Sequence, residues 1–152
     1  MSEIETNCLE ILLVEDNPQD LELTLRALQK ARLANHIQIA RDGREALDYL
    51  FCEGSFAERP KGLRPKVVLL DLKLPKIDGL EVLRQIKGDP RTLTIPVVVL
   101  TSSKEQNDVV ESYRLGVNSY IVKPVNFESF SRSVQDIGLY WLLMNQLPKL
   151  TG

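Results

Sequence analysis

The amino-acid sequence predicts an α/β domain built on a doubly wound, five-stranded parallel sheet. Five short apolar runs alternate with longer amphipathic stretches along the 152 residues. Most of these runs are rich in Val, Ile and Leu and lack alternating polar positions, which is typical of strands buried on both faces. Strands that alternate with helices indicate βαβ units with right-handed crossovers, whose ligands bind at the carboxyl ends of the strands.

Strands are predicted at the five apolar runs. The run at residues 37–40 alternates apolar with polar positions, which indicates a strand nearer an edge of the sheet. The predicted strands are residues 11–14, 37–40, 67–70, 97–100 and 119–122.

Helices are predicted between the strands and after the last one. Asn17 is expected to cap the first helix, and Pro18 suits its first position. Ser103 and Gln106 have the spacing of a capping box, and Gly116 lies where a helix commonly ends. The predicted helices are residues 18–31, 43–51, 79–87, 104–115 and a fifth from about 126 past 141. In the first three helices, the side chains expected to face the core are Leu21, Leu25, Leu28, Ala46, Leu47, Leu50, Leu80, Leu83 and Ile86.

The length fits one domain, which we place at residues 9–144 between an N-terminal tail (1–8) and a C-terminal tail (145–152). Residues 52–66 form a longer connection than the usual helix-to-strand loop of about 2–6 residues. A surface insertion is the simpler interpretation of this loop, and a partner-contact loop is the alternative.

The composition excludes several classes of protein. Apolar residues make up 43% and charged residues 26% of the chain, which is typical of a soluble globular domain. The net charge of −2 lacks the basic patch of a nucleic-acid binder. Cys8 and Cys52 belong to no paired motif, which argues against a disulfide framework or a cysteine zinc site. Because no signal peptide or membrane-spanning run is present, we expect a cytoplasmic protein without membrane or nucleic-acid partners.

Polar side chains directly follow four of the five predicted strands. Each alone has a plain interpretation as a helix cap, a turn, a strand end or a surface lysine. Because the carboxyl ends of parallel strands meet at one edge, their coincidence favours a functional site. These residues are Glu15 and Asp16 after the first strand, Asp71 after the third, Thr101 and Ser102 after the fourth, and Lys123 after the fifth.

Three carboxylates at one edge repel one another, and a hard divalent cation relieves that repulsion. Mg²⁺ takes oxygen ligands and pairs with phosphate oxygens. Lys123 adds a second cation, and the Thr101 hydroxyl can donate a hydrogen bond to an incoming oxyanion. The set therefore suits a phosphoryl group held on a nucleophilic aspartate.

Four segments resemble the signature segments of two-component response-regulator receiver domains. They occur in the right order and on the predicted elements, and the resemblance covers about residues 9–139. It implies a flavodoxin-like, CheY-like (βα)5 fold and a Mg²⁺-dependent phosphoryl transfer from a sensor histidine kinase. The segments are Ile-Leu-Leu-Val-Glu-Asp-Asn, Val-Leu-Leu-Asp-Leu-Lys-Leu-Pro-Lys-Ile-Asp-Gly, Val-Val-Val-Leu-Thr-Ser and Tyr-Ile-Val-Lys-Pro.

The resemblance implies a role for each matching residue. Asp71 corresponds to the phosphoacceptor, Thr101 to the hydroxyl that turns toward the phosphoryl group, and Lys123 to the lysine that pairs with it. Mn²⁺ or Ca²⁺ is expected to substitute for Mg²⁺. The implied metal ligands are Glu15, Asp16, Asp71 and the backbone carbonyl of Lys73.

A conformational switch and a partner class are implied as well. Tyr120 corresponds to an aromatic residue that packs inward when Thr101 moves, and Pro124 to a proline usually reached through a cis peptide bond. The loop 52–66 and the segment 138–143 are similar to stand-alone receivers that serve bacterial and cyanobacterial phytochrome histidine kinases. We expect such a kinase as partner, an unknown protein downstream, and no output domain.

Three other functions are open to the same residues. A Mg²⁺-dependent phosphohydrolase of the haloacid dehalogenase type carries Asp-x-Asp, whereas residues 71–73 read Asp-Leu-Lys. A flavodoxin-like FMN carrier needs a phosphate loop after the first strand, where the acidic pair 15–16 repels phosphate. A degenerate receiver acting as a scaffold is disfavoured by the intact set Asp16, Asp71, Thr101 and Lys123.

The fifth predicted helix is apolar nearly all round. One stripe suits the core, and the additional apolar residues need a second burial site, either on the same domain or at an interface. We expect a homodimer with Tyr140, Trp141 and Leu143 at its interface. The core stripe is Phe127, Phe130, Val134, Ile137 and Trp141, and the additional residues are Leu139, Tyr140, Leu142, Leu143 and Met144.

Sedimentation at micromolar concentration is expected to give the mass of a dimer, because burial of the second apolar face stabilises association. A monomer at that concentration would contradict the predicted homodimer.

Overall fold

The computed structural model describes residues 10–30, 36–60, 64–123 and 132. The chain forms five parallel strands in the order β2-β1-β3-β4-β5, which confirms the predicted sheet and the edge position of β2. The strands are β1 (Glu10–Val14), β2 (His36–Ala40), β3 (Val67–Leu70), β4 (Val97–Thr101) and β5 (Ser119–Val122). The helices are α1 (Pro18–Lys30), α2 (Gly43–Phe51), α3 (Gly79–Lys87) and α4 (Gln106–Leu115).

Side-chain caps fix where three of the helices begin. The Asn17 carboxamide oxygen accepts from the backbone N–H groups of Gln19 and Asp20, as its predicted capping role requires. Asp42 and Asp78 cap α2 and α3 in the same way. These caps satisfy backbone donors that have no partner inside the helix.

The predicted start of the fourth helix is wrong. α4 begins at Gln106 instead of residue 104, and Glu105 is its N-cap without a side-chain hydrogen bond. The Ser103 hydroxyl donates to the Asp108 carboxylate instead of capping the helix. The predicted capping box of Ser103 and Gln106 is therefore also wrong, whereas Gly116 ends the helix with a φ of 104° as expected.

Two hydrophobic clusters fill the two faces of the sheet, because successive strand residues point to opposite sides. Leu12 and Val14 of β1 belong to the cluster under α2 and α3, whereas Ile11 and Leu13 belong to the cluster under α1. β3 and β4 are buried along their whole length, as expected of central parallel strands.

Gly79 allows the first turn of α3 to approach the end of β3. A Cβ atom at this position would lie 2.4 Å from the backbone oxygen of Asp71 and 2.4 Å from the Cα of Leu72. The Gly79 N–H donates to the Leu72 carbonyl at 2.9 Å. The connection between β3 and α3 is thus held against the strand by a contact that only glycine permits.

The long connection after α2 packs partly onto the amino end of the sheet. Its Phe56 ring lies edge-on to Tyr49, with 5.1 Å between the ring centroids. The Arg59 guanidinium carbon lies 3.8 Å from the centroid of the Tyr49 ring, and the Tyr49 hydroxyl donates to Glu10. A described part of the loop is therefore anchored to α2 and β1, and the partner-contact hypothesis stays untested.

Within residues 10–30, 36–60, 64–123 and 132, no helix has the length and apolar character needed to span a membrane. Except for residue 132, the fifth predicted helix falls outside the described residues. So do Pro124, the interface residues Tyr140, Trp141 and Leu143, and both tails.

Replacing Gly79 with Ala is expected to lower the free energy of unfolding by about 3 kcal/mol, because the new methyl group meets backbone atoms that cannot rotate away. Urea unfolding followed by circular dichroism measures the change.

Gly88→Ala is the matched control for this substitution. A Cβ atom at Gly88 would lie 3.0 Å from the Arg84 carbonyl oxygen, a longer contact than the two at 2.4 Å for Gly79, so a change below about 1 kcal/mol is expected. Equal losses in the two variants would contradict the close approach at Gly79.

Candidate functional site

Glu15, Asp71 and Lys123 converge because each directly follows the last residue of a parallel strand, and Thr101 is the last residue of β4. The Glu15 N–H donates to the Ala40 carbonyl at 2.9 Å, and the Asp71 N–H donates to the Val14 carbonyl at 3.1 Å. The Lys123 N–H donates to the Thr101 carbonyl at 2.8 Å. The sheet ladder thus extends into the site and fixes the backbone of each of these side chains.

The Lys123 ammonium nitrogen lies at the centre of the site. It is 2.6 Å from Glu15 Oε1, 2.9 Å from Asp20 Oδ2 and 3.0 Å from Asp71 Oδ2. The Lys123 side chain is only 8% exposed, and those of Glu15 and Asp71 are 2% and 7% exposed. One buried cation therefore joins three carboxylates.

Asp71 has a second set of donors on its other oxygen. The Thr101 hydroxyl donates to Asp71 Oδ1 at 2.7 Å, and Thr101 is fully buried. The Lys73 N–H donates to the same oxygen at 3.1 Å. The backbone N–H of Lys73 therefore lies beside the carboxylate, and the role of the Lys73 carbonyl as a metal ligand stays a prediction.

The charge balance of the site shifts the pKa values of its members. Burial, reinforced by the charge of Asp71 and opposed by Lys123, raises the pKa of Glu15 to about 7. Burial also disfavours ionisation of Asp71, but the Lys123 charge and the Thr101 hydrogen bond outweigh it and lower the pKa of Asp71. Burial opposes the charged form of Lys123, yet its carboxylate partners raise the pKa above the ordinary value. Both directions of shift favour an ionised Asp71 carboxylate beside a charged Lys123.

The side chains fit a hard cation by their chemistry, although Lys123 lies between them. Within the described part of the chain, no three His, Cys, Asp or Glu side chains are already arranged to hold a metal ion. Glu15 and Asp71 offer buried carboxylate oxygens with more negative charge than one ammonium balances, and Asp16 is exposed next to them. Oxygen donors with excess negative charge are what Mg²⁺ and Mn²⁺ bind.

Tyr120, one of the predicted switch residues, lies on β5. The Tyr120 hydroxyl donates to the Ser103 carbonyl at 3.0 Å, and the Tyr120 ring packs against the cluster under α2 and α3. The Ser103 N–H donates to Thr101 Oγ1 at 3.3 Å. A short chain of contacts thus links Tyr120 to the Thr101 hydroxyl. Ser102, the other polar residue after β4, is exposed.

Asp20 is a member of the site that the sequence did not reveal. It lies in the first turn of α1, four residues after Asp16, and was hidden among the polar residues of an amphipathic helix. Its distance in sequence from β1 could have indicated it. Because α1 begins at Pro18, soon after β1 ends, an acidic residue in the first turn of α1 stays near the end of that strand.

Comparison with known proteins gives the family. Residues 11–135 match the response regulator receiver domain. The chain is 46% identical to a probable methanogenesis regulatory protein, FilR2, of Methanothrix harundinacea, over 91% of this chain and 86% of that protein. It is 43% identical to the response regulator Rcp1 of Synechocystis sp., over 91% of this chain and 92% of Rcp1.

Solved structures agree with this assignment. The phosphorylated cyanobacterial phytochrome response regulator RcpA superposes with a TM-score of 0.85 at 43% identity, covering 93% of this chain and 99% of RcpA. The Mn²⁺-bound form of Rcp1 gives 0.85 at 42% identity, with the same coverages of 93% and 99%. The bacteriophytochrome response regulator AtBRR gives 0.73 at 59% identity, covering 92% of this chain and 99% of AtBRR. With Asp71, Thr101 and Lys123 gathered at the strand ends, and with the family match over most of its length, the chain belongs to the response regulator receiver domains.

Proposed function

We propose that this chain is a single-domain response regulator whose Asp71 accepts a phosphoryl group in a Mg²⁺-dependent reaction. The observation that carries the proposal is the environment of Asp71: its Oδ2 lies 3.0 Å from the Lys123 ammonium, and its Oδ1 accepts from the Thr101 hydroxyl. An ionised carboxylate with a fixed cation and a hydroxyl donor suits phosphoryl transfer, which depends mostly on positioning and charge stabilisation.

The transfer forms a bond between an Asp71 oxygen and phosphorus while the bond between phosphorus and the donor atom breaks. Lys123 offsets the charge of the phosphoryl oxygens, and the Thr101 hydroxyl turns from Asp71 to one of them. Glu15, Asp16, Asp71 and the Lys73 carbonyl would hold Mg²⁺, which would supply further positive charge to offset that of the phosphoryl group. The chain catalyses at most its own phosphorylation and a slow hydrolysis of the product.

The phosphorylated state is proposed to act through a protein–protein interface. If the Thr101 hydroxyl leaves Asp71, its contact with the Ser103 backbone changes, and Tyr120 is joined to Ser103 by a hydrogen bond. Movement of Tyr120 inward alters the surface beside β5. A signal of this kind selects between two arrangements by the contacts that differ between them.

The proposed phosphoryl donor is a sensor histidine kinase of the phytochrome type. Similarity to RcpA, a cyanobacterial phytochrome response regulator, and to AtBRR, a bacteriophytochrome response regulator, supports this choice. We also propose a homodimer through the C-terminal helix, which rests on the sequence pattern of residues 127–144.

Incubation of the chain with acetyl phosphate and Mg²⁺ is expected to add one phosphoryl group, measured as intact-protein mass. Asp71→Asn is expected to add none, because the nucleophilic oxygen is lost. Removal of the metal with EDTA is expected to abolish the gain in the unaltered chain.

Asp78→Asn is a suitable control, because Asp78 caps α3 and is not one of the three carboxylates paired with Lys123. A mass gain that persists in Asp71→Asn would contradict the assignment of the phosphoacceptor. A gain with acetyl phosphate but none with a phytochrome histidine kinase would retain the receiver and exclude that donor.

Lys123→Met is expected to lower the free energy of unfolding by about 3 kcal/mol in metal-free buffer, because it leaves buried carboxylates without their counter-ion. Chemical denaturation at neutral pH measures the loss, and Lys104→Met, at an exposed position, serves as the control. An unchanged stability of Lys123→Met would show that the buried charge cluster is not held by this lysine.

A further inference from the structure

We propose that Asp20 is a positioning residue that keeps a partner for the Lys123 ammonium when the buried carboxylates Glu15 and Asp71 turn to a divalent cation. The inference deepens the proposed function and rests on it. Asp20 has no role in the residue assignments above, and its contact with Lys123 is a feature of this structure.

The ammonium of Lys123 is fully satisfied by the three carboxylates around it. A lysine carries three N–H donors and no acceptor. Glu15, Asp20 and Asp71 each place one oxygen within 3.0 Å of Nζ, so each donor has one acceptor. The lysine cannot leave any of these oxygens without losing a charge-assisted hydrogen bond.

Two of those three oxygens are also needed by a metal ion. Glu15 and Asp71 are proposed ligands, and a divalent cation close to the ammonium repels it. Binding of the cation therefore has an opposing cost, which is the loss of Lys123 contacts inside a buried site. That cost is smaller if the ammonium retains a carboxylate that the metal does not use.

Asp20 has the position that this role requires. Its side chain is 33% exposed, whereas those of Glu15 and Asp71 are 2% and 7% exposed. The Lys123 ammonium can thus retain its hydrogen bond to Asp20 while it moves toward solvent. Its other N–H groups can then donate to water. The backbone of Asp20 stays fixed, because its N–H donates to the Asn17 side chain at 3.0 Å.

An acidic residue in the first turn of a helix also has a general stabilising effect on the helix. That effect acts on folding and not through Lys123, so the two roles separate in a double-mutant cycle. The cycle consists of the unaltered chain, Asp20→Asn, Lys123→Met and the double variant. Mg²⁺ affinity of the unphosphorylated protein, measured by isothermal titration calorimetry, is the readout.

Asp20→Asn is expected to weaken Mg²⁺ binding about fivefold, equivalent to about 1 kcal/mol. In the Lys123→Met background the same substitution is expected to change the affinity by less than about twofold, because no ammonium is left to position. Asp20→Glu keeps the charge and is expected to restore most of the affinity.

Glu22→Gln is the matched control for loss of one negative charge on α1. Glu22 pairs with Arg26 on the surface and its side chain is 66% exposed, so the Mg²⁺ affinity is expected to stay within about twofold. The unfolding midpoint of each variant shows that the protein is folded during the titration.

An unchanged Mg²⁺ affinity in Asp20→Asn would overturn the proposal. So would an equal loss in the presence and absence of Lys123, because Asp20 would then act on the metal directly or through the general field. Absence of Mg²⁺ binding by the unaltered chain would contradict the proposed function itself, which separates the two failures.

Discussion

The excess of negative charge at one edge of the sheet is the constraint on which the rest of the structure depends. Three carboxylates lie within 3.0 Å of a single ammonium that is itself almost completely buried. Such a cluster costs desolvation energy and is stable only if its geometry is held by the surrounding fold. Burial, together with the charge of Asp71, raises the pKa of Glu15 to about 7 despite the neighbouring lysine. An arrangement with unbalanced charge responds strongly to any added cation or phosphoryl group.

The strand order explains why a lysine is the residue at the centre. Asp71 follows β3, which lies between β1 and β4, so Glu15 and Thr101 reach it from the neighbouring strands. Lys123 follows β5, two strands away from β3, and neighbouring strands are about 4.8 Å apart. Only a long side chain spans that distance and continues to Glu15. The ladder hydrogen bonds that extend past each strand end hold the backbones from which these side chains start.

The sequence predicted what depends on regular burial, and missed what depends on competition between side chains. The strands were found because β1, β3 and β4 are buried nearly throughout. The predicted start of the fourth helix is too early, because serine is a common N-cap residue. In the structure the Ser103 hydroxyl donates to Asp108 instead, and the Ser103 carbonyl accepts from the Tyr120 hydroxyl. Asp20 was missed because one acidic residue in a first helical turn is ordinary, and its partner lies 103 positions away in the chain. The burial of Tyr49 against Glu10 and Arg59 was likewise invisible from local pattern.

The sheet divides the core into two clusters, so neighbouring residues of β5 pack into different layers. Tyr120 packs against the cluster under α2 and α3, whereas its neighbour Ile121 packs against the cluster under α1. A displacement of the Tyr120 ring would therefore act first on the cluster under α2 and α3, which the sheet separates from the cluster under α1. Asp20 belongs to α1, on the side of the sheet opposite to the cluster that Tyr120 contacts.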